Sequence, residues 1–155
     1  MSVELSTRIR LGLDELTAVR AEMSPLSAKI SEPTLDAIQV YAACALLHSY
    51  YTEIEKIFKV IARDWDKEAP SSDSWHRDLL NQMTATRPNR PPVISAQLAT
   101  SLDELLAFRH LYRGASIMLM RWNKLGPLVA KVDAIHADFI ARITQFLHFI
   151  SARPD

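Results

Sequence analysis

The longest amphipathic repeat of the chain centres on AACALLHSYYTEIEKIF, residues 42–58. Apolar side chains return there every three or four positions, which is the spacing of one face of an α-helix. Followed in both directions, the pattern predicts a helix from Thr34 to Trp65. Its predicted apolar positions are Ile38, Ala42, Ala45, Leu46, Ile54, Ile57, Phe58, Ile61 and Trp65. Such a broad apolar surface predicts burial against several neighbours, which can include a second subunit.

Four more helices are predicted on either side of this one. Their spans are Val3–Met23, Ser74–Ala85, Ser95–Met120 and a last helix that follows Pro127 and reaches Ile150. Ser24-Pro25 ends or kinks the first helix, because a proline disfavours helical geometry in the residue before it. Pro33 suits the first turn of the long helix, since a proline there loses no hydrogen bond.

Capping residues and prolines predict the remaining boundaries. Ser72 or Asp73 is the expected N-cap of the short third helix, and Ser95 that of the fourth. Residues 86–93 contain three prolines and are expected to be stiff and extended. Residues 122–126 are interpreted as a turn that leads into the last helix.

Three further apolar stripes have the spacing of helices that pack in a bundle. They are Leu5, Ile9, Leu13, Leu16 and Val19; Leu98, Leu102, Leu105, Leu106 and Phe108; and Leu128, Val132, Ile135, Phe139, Ile143, Phe146 and Ile150. We therefore expect residues 1–155 to form a single all-α domain, an up-and-down bundle of about five helices.

Composition narrows the class of protein. The 155 residues include only three glycines and one cysteine, Cys44, which leaves no intrachain disulfide. The N-terminal residues lack the apolar run of a signal peptide, and charges interrupt every long helix, so we expect a cytoplasmic protein without a membrane span. No phosphate-binding glycine loop and no metal-ligand cluster appears, so neither a cofactor nor a metal is expected.

The formal net charge is zero, which argues against a general nucleic-acid binder. Charge is nevertheless unevenly spread: residues 1–74 carry 8 basic and 12 acidic side chains, and residues 75–155 carry 10 basic and 6 acidic ones. Most of the basic excess of residues 75–155 lies in Arg77, Arg87, Arg90, Arg109, Arg113, Arg121 and Lys124. Either a local phosphate-binding site or an ordinary solvated surface explains this distribution.

Residues 108–116, FRHLYRGAS, hold the clearest candidate site. Arg109 and Arg113 are four positions apart and therefore share one helix face. Two guanidinium groups on one face suit phosphate recognition. The structural alternative is that Arg109 pairs with Glu53 or Glu55 of the long helix. Tyr112 beside them either stacks on a base or packs in the protein.

The same segment resembles the motif of the HEPN superfamily, and most closely that of its HepT-like toxin branch, in which the pattern is R-x4-H-x-Y. Arg109 matches the Arg, whereas Gly114 stands for the His and Ser116 for the Tyr. Residues 42–58, 74–83, 90–95 and 122–129 resemble other helices and connections of the same family, in order. Together they cover roughly residues 40 to 130.

The resemblance implies a HEPN-like bundle that forms a two-fold homodimer, and a metal-independent endoribonuclease that acts as the toxin of a toxin–antitoxin pair. In that family the Arg stabilises phosphate and transition state, the His transfers a proton, and single-stranded RNA is cut to a cyclic phosphate. A partner nucleotidyltransferase, the antitoxin, adds AMP to the motif Tyr. Gly114 and Ser116 lack both functional groups, so impaired or lost RNA cleavage is expected. Neighbouring His110 lies about 100° around the helix from Arg109, which makes it a poor substitute.

The alternative is a non-catalytic HEPN dimer that binds RNA or a nucleotide, or serves as the partner subunit of a nucleotidyltransferase. A glycine at position 114, within the predicted fourth helix, costs about 0.5–1 kcal/mol relative to alanine. The remaining histidines have structural interpretations: His76 is expected to cap a helix beside Trp75, and His48 to be a core or interface histidine.

Overall fold

The computed structural model describes residues 2–114 and 116–153 of the chain. In chain order the helices are α1 (Ser2–Glu22), α2 (Ser24–Ser27), α3 (Ala37–Asp64), α4 (Trp75–Thr84), α5 (Ala96–Gly114), a 3-10 helix (Ile117–Leu119) and α6 (Trp122–Ser151). No strand is formed by the described residues, so the predicted all-α helical bundle is confirmed. The short α2 is an addition to the five predicted helices, and within residues 2–114 and 116–153 no helix is long and apolar enough to cross a membrane.

The long helix α3 lies at the centre of the bundle and packs against α1, α4, α5 and α6. The predicted burial against several neighbours is therefore confirmed within one chain. Its largest buried side chains are Val40, Leu47, Tyr50, Tyr51, Ile54, Ile57, Phe58 and Ile61. The predicted positions Ile38, Ala42 and Ala45 are exposed in the single chain; the face buried within the chain at this end is carried by Val40, Ala43, Cys44 and Leu47.

Helix α3 begins at Ala37 rather than at the predicted Thr34. Asp36 accepts a hydrogen bond from the backbone N–H of Gln39 at 2.8 Å, and Gln39 Oε1 accepts one from the backbone N–H of Asp36 at 3.2 Å. This reciprocal capping box satisfies two amides at the helix end and fixes the start downstream of Pro33. The predicted break at Ser24-Pro25 is confirmed, since α1 ends at Glu22 and α2 starts at Ser24.

The short helix α4 and its exit differ in detail from the prediction. Its N-cap is Ser74 rather than Ser72 or Asp73, and Asp78 accepts hydrogen bonds from the hydroxyls of Ser72 and Ser74. Residues 86–93 are not extended throughout, because Arg87 and Arg90 exchange two backbone hydrogen bonds of 2.9 and 3.2 Å around a tight turn. That turn brings the Arg90 side chain back into the protein.

Helix α5 begins after Ser95, whose Oγ accepts from the backbone N–H of Leu98 at 3.1 Å as predicted. All five predicted inward-facing residues of α5 are buried. The helix ends at Gly114 rather than at Met120, so Gly114 occupies a helix end and not a helix interior. Ser116 then caps the 3-10 helix, its Oγ accepting from the backbone N–H of Met118 at 3.3 Å.

Helix α6 begins at Trp122, so the predicted turn over residues 122–126 is wrong. The Trp122 ring is buried, and its Nε1 donates to the backbone carbonyl of Glu32 at 3.0 Å. A Cβ at Gly126 would lie 3.3 Å from that ring, so glycine here serves helix packing rather than a turn. Six of the seven predicted inward-facing residues of α6 are buried, and Leu128 is partly buried against the same core.

Buried polar contacts hold connections and helices together in the bundle. The fully buried Arg90 side chain donates to both carboxylate oxygens of Asp66 at 2.6 and 2.7 Å. His136 of α6 lies between Tyr50 of α3, with Nδ1 3.0 Å from the phenol oxygen, and Thr17 of α1, with Nε2 3.3 Å from Oγ1.

Candidate functional site

Arg109 points from α5 towards α3 and α4, and only 11% of its side chain is exposed. Its Nε lies 3.5 Å from Glu55 Oε1. Its Nη1 lies 3.3 Å from both ring nitrogens of His76. The motif arginine is therefore held in a cluster with one carboxylate and one imidazole from two other helices.

The closest contact in this cluster joins His76 to Glu55, with Nδ1 2.5 Å from Oε2. The Glu55 side chain is 3% exposed and that of His76 is 13% exposed. An ionised carboxylate can only accept, so the ring donates its Nδ1 proton to Glu55. The Trp75 indole covers the ring at 3.5 Å between centroids. The orientation of the imidazole is thus fixed by its neighbours.

The position of Arg109 decides between the two acidic partners that the sequence offered. Glu55 pairs with it, whereas the largely buried Glu53 pairs with Lys56 at 2.7 Å. The structural interpretation of Arg109 is therefore realised at Glu55. A phosphate-binding role for the same guanidinium stays a prediction.

A groove with a volume of about 1090 Å³ opens beside this cluster, between the start of α4 and the second half of α5. It is lined by Ser72, Asp73, Ser74, His76, Arg77, Leu106, Ala107, His110, Leu111 and Gly114. Arg77 at its edge forms an ion pair with Asp103 at 2.5 Å. The groove thus presents to solvent two histidines from different helices, several hydroxyl groups and apolar side chains.

The two altered motif positions lie in different surroundings. Gly114 lines the groove, and a Cβ built on it would meet no atom within 4 Å, so a larger side chain fits there. Among the described residues, no other helix approaches Gly114 closely. Ser116 is exposed and caps the 3-10 helix. Residue 115 between them lies outside the described residues.

Arg113 lies one turn beyond Arg109 and is exposed, and the described part of the chain offers it no ion-pair partner. Tyr112 packs instead of projecting into solvent, with its ring 5.1 Å from that of His48 and 6.0 Å from that of Phe108. Burial lowers the pKa of His48, and the positive charges of Arg109 and Arg113 lower it further. His48 is therefore favoured in its neutral form beside the two arginines, as a half-buried packing histidine.

Tyr51 lies deeper on the same side of α3. It is fully buried, and its hydroxyl has no hydrogen-bond partner among the described residues. Burial raises the pKa of Tyr51, and the negative charge of Glu55 raises it further. The phenol is therefore neutral beside the cluster. Across residues 2–114 and 116–153, no three His, Cys, Asp or Glu side chains come close enough to hold a metal ion.

Comparison with known families bears on this geometry. The sequence profile of the family described as HepT-like protein matches residues 42–150. The chain belongs to this HepT-like family. No curated protein and no solved structure gives a significant match. Glu55, His76 and Arg109 all lie within the matched segment of this HepT-like protein, as does the whole groove.

Sequence reasoning missed one member of the cluster in this HepT-like chain, His76, and the contact that Glu55 makes with it. His76 was interpreted as a helix cap, whereas its ring contacts Glu55 and Arg109. Glu55 was considered only as a partner for Arg109. Two signals were available in the sequence: His76 follows a large aromatic residue, Trp75, at a helix start, and Glu55 lies among apolar residues. Neither signal reveals which helices contact each other. His110 lies in the groove without a described contact to the cluster, so its role as a substitute base stays a prediction.

Proposed function

We propose that this protein is a toxin-family member that binds single-stranded RNA along the α4–α5 groove and whose metal-independent cleavage of that RNA is impaired. The observation that carries the proposal is that Gly114 lines the groove beside His76 and His110. The motif position without its imidazole thus opens onto the surface where an RNA strand would lie. Arg113, which is exposed one helical turn from Arg109, supplies a guanidinium for the RNA backbone.

Antitoxin control is proposed to differ from that of a protein with the motif tyrosine. Ser116 has a hydroxyl but no phenol, and that hydroxyl accepts the capping hydrogen bond of the 3-10 helix. A nucleotidyltransferase partner would therefore act by binding rather than by adding AMP at this position. A homodimer is proposed from the family resemblance, and the exposed Leu111, Met118 and Leu119 provide apolar surface at the end of α5.

The test measures binding and cleavage of a labelled single-stranded RNA in the presence of a metal chelator. We expect the unmodified protein to bind RNA and cut it slowly or not at all, and Arg113→Ala to weaken binding. Gly114→His, alone and with Ser116→Tyr, should raise the cleavage rate because the open space at position 114 accepts an imidazole. A general base in place contributes about 10²–10⁴-fold.

Two results would contradict the proposal. Absence of RNA binding by the unmodified protein would exclude RNA as its ligand. Fast cleavage by the unmodified protein, with no gain from Gly114→His, would show that the missing motif histidine does not limit the reaction. Arg63→Ala serves as the matched control for loss of an arginine, since that side chain is exposed on α3 and pairs with its neighbour Asp64.

A further inference from the structure

We infer that His76, oriented by Glu55, is the general base of the residual RNA cleavage. The inference rests on the proposed function, since it requires RNA in the α4–α5 groove. In this inference His76 of α4 transfers the proton that the motif histidine would transfer, since Gly114 has no side chain.

The first argument is the orientation of the ring. The Nδ1 proton is donated to Glu55 at 2.5 Å, so Nε2, which lies 3.3 Å from Arg109 Nη1, is the ring nitrogen that would exchange a proton with the RNA. A carboxylate that fixes the tautomer in this way also stabilises the imidazolium that forms after proton uptake. His110 lines the same groove, but the described residues give it neither a carboxylate nor a hydrogen-bond partner.

The second argument is the distance to the motif arginine. Arg109 Nη1 lies 3.3 Å from both ring nitrogens of His76, and His76 lines the groove whereas Arg109 is not among its lining residues. A phosphate that reaches Arg109 from the groove therefore passes beside the imidazole, which is then within reach of the adjacent ribose.

The reaction that this arrangement supports is transesterification within the RNA. His76 Nε2 takes the proton of the ribose 2′-hydroxyl as the 2′-oxygen forms a bond to the neighbouring phosphorus. The bond between phosphorus and the 5′-oxygen of the next nucleotide breaks, and that oxygen takes a proton from water in the open groove. The products are a 2′,3′-cyclic phosphate and a free 5′-hydroxyl, and the imidazolium returns its proton to solvent.

The experiment compares cleavage of a labelled single-stranded RNA by the unmodified protein, His76→Asn, His76→Ala and His148→Asn, with a chelator present. Asparagine keeps a donor near the Nδ1 position, so Glu55 retains its partner, but it has no group at Nε2. His148 is exposed on α6 away from the groove and controls for loss of a histidine. Binding is measured in parallel with an RNA in which 2′-deoxy nucleotides block the reaction.

We expect both His76 variants still to bind the blocked RNA and to lose about tenfold or more of the slow residual cleavage, which is less than the full contribution of a well-placed general base. His148→Asn should cut normally. Free imidazole should restore part of the activity of His76→Ala, which a merely structural role of His76 would not produce. Cleavage by His76→Asn at the unmodified rate, or its loss only in His110→Asn, would overturn the inference and leave the proposed function standing.

Two other outcomes separate the inference from the proposed function. RNA binding with no cleavage by the unmodified protein, even at high protein concentration, overturns the role of His76 and leaves RNA binding intact. Absence of binding to any RNA overturns both.

Discussion

His76 donates to Glu55 across 2.5 Å, and this contact joins the first turn of α4 to the middle of α3. Both side chains are largely buried, and Arg109 approaches them from α5. The imidazole is therefore oriented by the fold before any ligand arrives. Preorganisation of this kind is what a proton-transferring group requires, and it is also what a buried polar contact needs to be tolerated.

The first prediction concerns Arg109 and the stability of the cluster. Arg109→Ala removes the guanidinium that lies 3.5 Å from a glutamate with 3% exposure. We expect the free energy of unfolding to fall by about 1–3 kcal/mol, because a buried charge loses part of its compensation. Chemical denaturation of this variant and of Arg113→Ala makes the comparison. A loss of stability of equal size in the exposed Arg113→Ala would contradict a specific role for the buried contact.

A larger effect is expected at Arg90. Its side chain is fully buried and donates to both oxygens of a fully buried Asp66. Arg90→Ala should cost about 3 kcal/mol, the lower end for a broken buried pair, because Asp66 keeps a hydrogen bond from Gln82 Nε2 at 2.7 Å and the Arg87 guanidinium at 3.6 Å. Arg63→Ala should cost at most about 1 kcal/mol, because that ion pair with Asp64 is exposed. Similar unfolding midpoints for the two variants would show that the burial of the Arg90 pair has no energetic consequence.

The glycines provide a test of helix packing. A Cβ at Gly12 of α1 would lie 2.8 Å from Ile57 Cγ1 of α3, whereas one at Gly114 would meet nothing within 4 Å. Gly12→Ala should therefore destabilise the protein by about 1–3 kcal/mol through overpacking, despite the gain in helix propensity. Gly114→Ala should be neutral or slightly stabilising. Thermal unfolding of the two variants is sufficient, and stabilisation by Gly12→Ala would contradict close packing of α1 on α3.

Stability should also depend on pH through His136. Burial lowers the pKa of His136 from its usual 6.5, and the charge of Arg20 lowers it further. The unfolded chain then binds a proton at a higher pH than the folded chain, so stability falls as the pH drops below about 6.5. His48 contributes in the same direction.

Urea midpoints measured between pH 7.5 and 5 test this dependence. His136→Gln should flatten the decline, and His148→Gln, which changes an exposed histidine, should not. An unchanged slope in His136→Gln would assign the pH dependence to other groups.

The fold was largely predictable from the sequence because long helices repeat their pattern many times. The stripe on α6 is an example, since all its predicted inward-facing residues pack against the core. Boundaries failed where a short-range contact decided them, as with Asp36 and Gln39 at the start of α3. The turn expected around Gly126 was wrong because residues 122–126 begin α6, where a Cβ at Gly126 would lie 3.3 Å from the Trp122 indole.

The candidate site was predicted only in part, for a different reason. The motif placed Arg109, His110 and Gly114 on one helix. The spacing of four between His110 and Gly114 then puts these two residues on the same side of it, where they line the groove. It could not bring in His76, which lies 33 positions before Arg109 on another helix. Contacts between helices depend on how their surfaces pack, and a single sequence gives no measure of that.

The short α4 helix carries the imidazole and packs mainly on α3 and α5, whereas α1, α3 and α6 contact one another without it. Local opening of α4 would therefore withdraw His76 together with Leu79, Leu80 and Met83, while α1, α3 and α6 keep their contacts with one another. Amide hydrogens of α4 should exchange with solvent sooner than those in the middle of α3. We therefore expect mild heating to abolish the activity proposed for the groove reversibly, at temperatures below those at which circular dichroism registers a loss of helix.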